Sequence, residues 1–451
     1  MALARSGATV ERTRLRTSFD GVWGDLEGVG RDPRSGGYDR FSWTGVDLGL
    51  REWFAAEATR RGLEVEVDRN GNQWAWWGAP ADGAVVTGSH LDSVPGGGAF
   101  DGPLGVVSAL LAVDALRAAG VVPERPLAVV NFVEEEGARF GLACLGSRLM
   151  TGAVDAGHAL SLTDDDGTTL ADAMSAAGHA PEHVGLDEAA LARIGVFVEL
   201  HVEQGRHLAL GDESVGVASS ILPHGRWHFC FEGEGNHAGT TRLVDRHDPM
   251  LPFAEVVGAA RRLAAEAQAV TTFGRVRVDP NGTNAIPSRV DAWLDARGPE
   301  QSGVTRLVDD LQRFAEEASA GHGVRLTVEN DSFTPVVDFD PSLSDRLRAS
   351  LGAASIGAPT LPTAAGHDAG ILASRVPTAM LFVRNPTGIS HSPVEHAEAE
   401  DCVDGVEALT IVLRDLLVAP LEVVPAGATG TTPHHGGADA GAGTGAGGSG
   451  S

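Results

Sequence analysis

"AVVTGSHLDSVPGGGAFDGPLGVVSALLAVDALRAAG", residues 84–120, runs from an apolar stretch through a glycine-rich turn into a helical apolar pattern. It reads as strand, turn and helix, with His90 closing the strand and Asp101 standing just ahead of the helix. Outward from it, "LEVEVD" and "NQWAWWG" flank the turn "RNG", and the apolar runs "PLAVVNFV" (126–133), "IGVFVEL" (194–200) and "VPTAMLFV" (376–383) follow. Continuous apolar runs bounded by turn residues suit strands buried on both faces, and helical segments between them suit a largely parallel sheet. The expected fold class is therefore α/β, a mixed, largely parallel sheet flanked by helices.

From residue 215 the texture changes. "RWHFCFEG", a helix over "PMLPFAEVVGAARRLAAEAQ", "GRVRVD", "SRVDAWLDAR", a helix over "VTRLVDDLQRFAEEAS" and "VRLTVEN" give the order β-α-β-β-α-β, a four-stranded sheet with two helices on one face. Apolar strands resume afterwards, so this segment reads as an insertion. The expected organisation is a catalytic domain in two parts, 1–214 and 332–424, an inserted α+β domain over 215–331, and a Gly/Ala/Thr-rich tail over 425–451 with too little apolar surface to order itself.

The chain has 451 residues and a formal charge of −27. That balance argues against nucleic acid as a partner, because such affinity comes from Lys and Arg neutralising phosphates. An anionic substrate must instead meet a locally cationic pocket. No run approaches the ~20 apolar residues of a membrane span, and "MALARSGATVERTRLR" lacks a signal-like apolar stretch, so a cytoplasmic protein is expected. Cys144, Cys230 and Cys402 are widely spaced and read as packed thiols rather than a disulfide framework or a thiolate metal site.

Four apolar strands end in metal-binding side chains. "AVVTGSH" delivers His90, "PLAVVNFVEEEG" delivers Glu134, Glu135 and Glu136, "IGVFVELHVEQG" delivers His201, Glu203 and Gln204, and "TAMLFVRNPTGISHSP" delivers His391. In open α/β sheets, sites form in the crevice beyond the carboxyl ends of the strands, so these groups are expected to converge. Each has a plainer reading: Asp101 as a helix N-cap, the three glutamates as a solvated patch. Their conjunction favours a metal site. Imidazole and carboxylate without thiolate suit Zn2+, Mn2+, Co2+ or Ni2+, and one shared carboxylate holds two ions about 3.5–4 Å apart. With Asp101 shared, His90, Asp101, Glu136, His201 and His391 give each ion three protein ligands. Glu135, adjacent to a ligand but pointing differently, is placed to take a proton from an activated water and pass it to a leaving nitrogen.

"GSHLDSVPGGGAFDGPLGV", "EEEGARF", "ELHVEQG", "GNHAGTT", "NAIPSRVDAWLDAR", "AGHDAG" and "GISHSP", in this order, resemble the successive motifs of the hydantoinase/carbamoylase family of zinc-dependent amidohydrolases, within the di-metal aminopeptidase and aminoacylase superfamily. The resemblance runs from about residue 15 to 420. It implies that His90 and His201 hold one metal ion and Glu136 and His391 the other, with Asp101 bridging and Glu135 as general base. It implies that the inserted domain is a ferredoxin-like lid and the interface of a homodimer. His237 in "GNHAGTT" is implied to stabilise the oxyanion, although alone it reads as a turn histidine. Asn284 and Arg297 are implied to grip a substrate carboxylate, and Gln204 and His367 to line the pocket. A guanidinium fork suits a carboxylate.

The resemblance implies cleavage of the ureido C–N bond of a small carboxylate: allantoate to ureidoglycine, ammonia and carbon dioxide, or alternatively an N-carbamoyl-L-amino acid or β-ureidopropionate. A di-metal peptidase or aminoacylase stands behind these because of His201, where an acidic ligand is expected. An inactive metal-binding scaffold is the remaining alternative. Ala138, Arg242 with Leu243, and Thr363-Ala364-Ala365 depart from the usual motifs, which bears on the substrate and not on the hydrolytic chemistry.

Overall fold

A computed structural model of the protein describes residues 2–421; the expected tail over 425–451 lies outside the described residues. The strands are β1 (Glu64–Val67), β2 (Gln73–Trp77), β3 (Ala84–His90), β4 (Leu127–Phe132), β5 (Ile194–Val202), β6 (Val215–Ile221), β7 (His224–Glu232), β8 (Asn236–His237) and β9 (Val270–Asp279). They continue as β10 (Ala285–Ile286), β11 (Arg289–Arg297), β12 (Arg325–Thr334), β13 (Val337–Asp338), β14 (Thr360–Thr363) and β15 (Thr378–Val383).

Nine strands form one sheet in the order β1-β2-β4-β3-β5-β15-β6-β13, with β14 beside β6. Its centre, β4-β3-β5-β15, is parallel throughout, and the pairings β1-β2, β2-β4, β15-β6 and β6-β13 are antiparallel. The sheet is therefore mixed; the apolar runs correspond to the parallel block at its centre. The parallel block is the part that bears on function. His90 pairs with Phe132 and His201 with Phe382, so the carboxyl ends of four adjacent strands lie side by side.

Both faces are covered. One meets helices Gly45–Arg60, Pro103–Ala118 and Ala399–Val418 in a core that includes Phe54, Leu104, Leu110, Leu409 and Leu413. The other is packed by Trp74, Trp76, Phe132, Phe197 and Phe382. Burying each such side chain contributes about 1.5–3 kcal/mol, which makes the block a rigid base for the loops at its ends.

A second, four-stranded antiparallel sheet has the order β12-β7-β11-β9. Along β11, buried and half-buried positions alternate; Val290, Ala292, Leu294 and Ala296 face helices Met250–Glu266 and Gln301–Gly321. The sheet begins at His224 and ends at Thr334, which moves the expected limits 215 and 331. Val215–Ile221 belongs to the large sheet, where it pairs with β15. Its small residues, Gly216, Ala218, Ser219 and Ser220, hide the continuous apolar run by which a central strand is recognised.

The helix after the glycine-rich turn starts at Pro103, with Gly102 at the capping position, so Asp101 is not its N-cap. Gly102 has φ +83, and a Cβ there would stand 2.4 Å from the His90 ring. Glycine is needed twice over, for the left-handed backbone and for the imidazole packed against it. Gly102→Ala is expected to lower stability by about 1–3 kcal/mol. Gly120, at φ +69 with open space around it, is the control for backbone strain alone. Chemical denaturation of the two alanine variants separates the terms, and equal losses would rule out a contribution from the contact with His90.

Candidate metal centre

Asp101 organises the carboxyl ends of the parallel block. Its Oδ1 lies 3.1 Å from His201 Nε2 and 3.5 Å from His90 Nε2, and its Oδ2 lies 3.4 Å from His391 Nε2. His391 Nε2 is also 3.6 Å from Glu136 Oε2. Two groups, His90/Asp101/His201 and Asp101/Glu136/His391, each bring their ligand-capable atoms within 4.8 Å of one another and share Asp101. Glu199, His201 and His367 form a third such group deeper in the sheet.

The loops explain the orientation. His90 Nδ1 faces the Asp92 carbonyl at 3.1 Å and His201 Nδ1 the Val202 carbonyl at 2.9 Å. A carbonyl only accepts, so Nδ1 carries a proton in each ring, and whenever the ring is neutral Nε2 is left bare. Both Nε2 atoms are buried and lack a hydrogen-bond partner. Buried polar atoms are ordinarily satisfied, so two orphans aimed at one carboxylate fit a divalent cation. The amide of Gln204 lies beside the second group, with Nε2 2.6 Å from Asp101 Oδ2 and 3.2 Å from His391 Nε2.

The three glutamates after β4 separate into different jobs. Glu134, at φ +54, turns inward and accepts from the N–H groups of Arg139 and Phe140, closing the following turn. Glu135 points to the first group, its Oε2 3.7 Å from His90 Nε2. Glu136 points to His391. Asp92 sets this register, since its Oδ1 accepts from Glu135 N and its Oδ2 from Glu136 N at 3.2 and 3.0 Å.

Packing so much acid out of water displaces several titrations. Burial pushes the Glu135 carboxyl well up, only partly offset by His90. Burial and the neighbouring Asp101 push Glu136 up to about 8. Burial works against a charged His90, yet Glu135, Asp101 and Asp92 hold it well above the usual histidine range. Burial and the nearby His201 push His367 well down. No arginine among the described residues pairs with Asp101, Glu135 or Glu136, so the imidazoles are the cationic groups that these acids face.

His367 contributes a ring 4.5 Å from that of His201, and its Nε2 has no partner. The remaining expected residues lie on the four-stranded side. His237 and Asn284 are brought together, since Ala285 pairs with His237 and Ala238 N–H donates to the Asn284 carbonyl at 3.0 Å. Arg297 is held by Asp295 in a fork at 2.6 and 2.9 Å and donates to the Ala364 carbonyl at 2.5 Å. Among the described residues, no hydrogen bond or ion pair joins His237, Asn284 or Arg297 to the Asp101 cluster.

Against this geometry, the model of peptidase family M20/M25/M40 matches residues 86–415. The chain belongs to this family. It is a metal-dependent family, and the matched span carries every residue of the Asp101 cluster. Over 391 residues the chain is 36% identical to the N-carbamoyl-L-amino acid amidohydrolase of Geobacillus stearothermophilus, covering 85% of this chain and 94% of that one. It is 31% identical to the allantoate amidohydrolase of Escherichia coli K12, covering 90% and 98%. Among solved structures, an amidase of the hydantoinase/carbamoylase family from Burkholderia vietnamiensis superposes with a TM-score of 0.82 at 29% identity, covering 90% and 98%. The resemblance read from the motifs holds, and this M20 member is a hydrolase with the fold of those amidases.

Four supporting residues escaped the sequence reading. Asp92, two after His90, and Glu199, two before His201, are acids inside or beside apolar strands; Glu199 accepts from Ser89 Oγ at 2.8 Å and Ala369 N at 3.1 Å. Cys144, read as a packed thiol, donates through Sγ to Glu135 Oε1 at 3.3 Å. Glu395 follows His391 by four positions, and the buried acids in such stretches were the available signal. Asp101→Asn removes the charge that three imidazoles face. After equilibration with Zn2+ and gel filtration, elemental analysis is expected to find less than about a tenth of the wild-type metal in this variant, since a carboxylate common to both candidate groups should matter more than the 10–100-fold effect of outer contacts.

Proposed function

We propose that the protein hydrolyses the ureido C–N bond of a small carboxylate, with allantoate as the leading substrate and an N-carbamoyl-L-amino acid as the alternative. In this reading His90 and His201 hold one divalent ion, Glu136 and His391 a second, and Asp101 serves both. The observation that supports it most is the division of Asp101, Oδ1 toward two unpartnered imidazoles and Oδ2 toward the third. When bound, such ions supply Lewis acidity, polarising a carbonyl and lowering the pKa of a water.

Glu135 accepts the proton of the attacking water. The water oxygen bonds to the ureido carbon, the C–N bond breaks, and Glu135 returns the proton to the leaving nitrogen; the carbamate released decomposes to ammonia and carbon dioxide. His237 is prepared as a donor. Its Nδ1 accepts from Gly239 N–H at 3.0 Å, so the neutral ring carries its proton on Nε2, the atom free to stabilise the oxyanion. Arg297, with Asn284, takes the substrate carboxylate in place of Asp295. Gln204 and His367 line the pocket beside the ions.

Because His237 and Asn284 lie on the smaller unit, it acts as a lid that completes the site on closing, within the chain or across a homodimer. Exposed Met250, Leu251 and Val257 on one helix of that unit support an interface there. Among the described residues no helix is long and apolar enough to cross a membrane, and the three cysteines are unpaired, which supports a cytoplasmic setting.

The test is ammonia release from allantoate and from several N-carbamoyl-L-amino acids, after loading with Zn2+, Mn2+, Co2+ or Ni2+ in turn. One substrate class is expected to turn over, and inertness toward all of them refutes the ureido assignment. Glu135→Gln is expected to keep its metal while kcat falls by about 10²–10⁴-fold. Unchanged turnover would remove Glu135 from the mechanism.

A further inference from the structure

Resting on the metal-site reading above, we propose that Glu395 is a positioning residue for the half of the site formed by Asp101, Glu136 and His391, and that it controls how firmly this half retains its ion. Glu395 is 5% exposed, and its oxygens are fully engaged. Oε1 accepts from the N–H groups of Phe100 and Asp101 at 2.9 and 3.0 Å, reaching across 294 residues of sequence to the latter. Oε2 lies 2.9 Å from Ser390 Oγ, which is itself 3.1 Å from Asp101 Oδ2. These contacts outline a ring, Asp101 backbone, Glu395, Ser390, Asp101 carboxylate, in which the single Ser390 hydroxyl proton serves one of the two carboxylates at a time. Both ends of Asp101 thereby face the residue preceding His391, directly or through Glu395.

Two further features show the ring to be built in. A Cβ at Gly98 would stand 2.3 Å from Glu395 Oε1, so the carboxylate fills the space that this glycine leaves. His391 has φ +55, a left-handed backbone that an L side chain rarely adopts and that the surrounding contacts must hold. Asn385 fixes the first half of the loop, accepting from Thr387 N and Gly388 N and donating to the Ile389 carbonyl. Glu395 fixes the second half. A purely structural ring would gain nothing from placing one buried carboxylate behind another, since like charges in a dry site repel. The arrangement is explained if a cation lies beyond Asp101. Glu395 itself is no ligand, its oxygens being turned to Ser390 and the two amides.

The metal-stripped full chain is titrated with Zn2+ in a chelator buffer, counting ions bound at each free concentration, with thermal unfolding of the apo form as a check on folding. Wild type is expected to fill in two steps. Glu395→Ala is expected to weaken one step by about 10–100-fold and to leave the other within about threefold. Glu395→Gln keeps a carbonyl for both N–H groups and donates to Ser390 Oγ but loses the charge, so it should bind at the affected step at least about threefold more tightly than Glu395→Ala and leave the other step within about threefold of wild type. Ser390→Ala, which deletes only the hydroxyl, is expected to loosen the same step and decides the matter if Glu395→Ala does not fold. Loss of both steps equally, or of neither, in the folded variants overturns the proposal. Failure of wild type to take up a second ion overturns the paired-site reading beneath it.

Discussion

The arrangement depends on one electrostatic constraint: several carboxylates and three imidazoles are held together out of water, with too little positive charge among them. Asp101, Glu134 and Glu135 are each at most 5% exposed, and no arginine among the described residues pairs with Asp101, Glu135 or Glu136. Isolated buried charges are among the costliest features a fold carries unless paired or bound to metal. A divalent cation would resolve this, and in the proposed function the Nε2 atoms of His90 and His201, which have no hydrogen-bond partner, would be among its ligands.

The scaffold sustains that imbalance by making loops inflexible. Four adjacent parallel strands, packed on both faces, bring their ends to one line. The loops beyond them are then fastened by carboxylates bonded to backbone N–H groups. Asp92 holds Glu135 and Glu136, Glu134 closes the 137–140 turn, Glu203 caps the helix that starts at His207, and Glu395 holds Phe100 and Asp101. In a chain of charge −27, much of the acid near the site is therefore structural. In the proposed function the same residue type supplies both candidate ligands and the frame that aims them.

Legibility in the sequence followed the physics of each feature. The strands that deliver His90, Glu136, His201 and His391 stand out because burial on both faces demands unbroken apolar runs. β6 does not, because its small residues satisfy burial without looking hydrophobic. The candidate ligands could be named from residue type and from the ends of strands. The direction of Asp101 could not, since a carboxylate before a helix caps it as readily as it binds a cation, and only the Gly102 cap separates the two. Asp92 and Glu395 act by closing loops across long sequence separations, and no local pattern records such closure. Arg297 was legible as a cation suited to a carboxylate, but its engagement by Asp295 and Ala364 was not.

If Arg297 receives the substrate carboxylate, as proposed, that engagement would shape how a substrate is admitted. An anion arriving there would not meet an empty, fully hydrated guanidinium; it would exchange with a resident carboxylate of the same geometry, so the net gain on capture would be small and product could leave as readily as substrate entered. A neutral amide would offer nothing for this exchange and would leave Arg297 joined to the 360s segment. Selection for acids would then operate through the swap of partners, with the resident aspartate acting as the competitor that every ligand has to match.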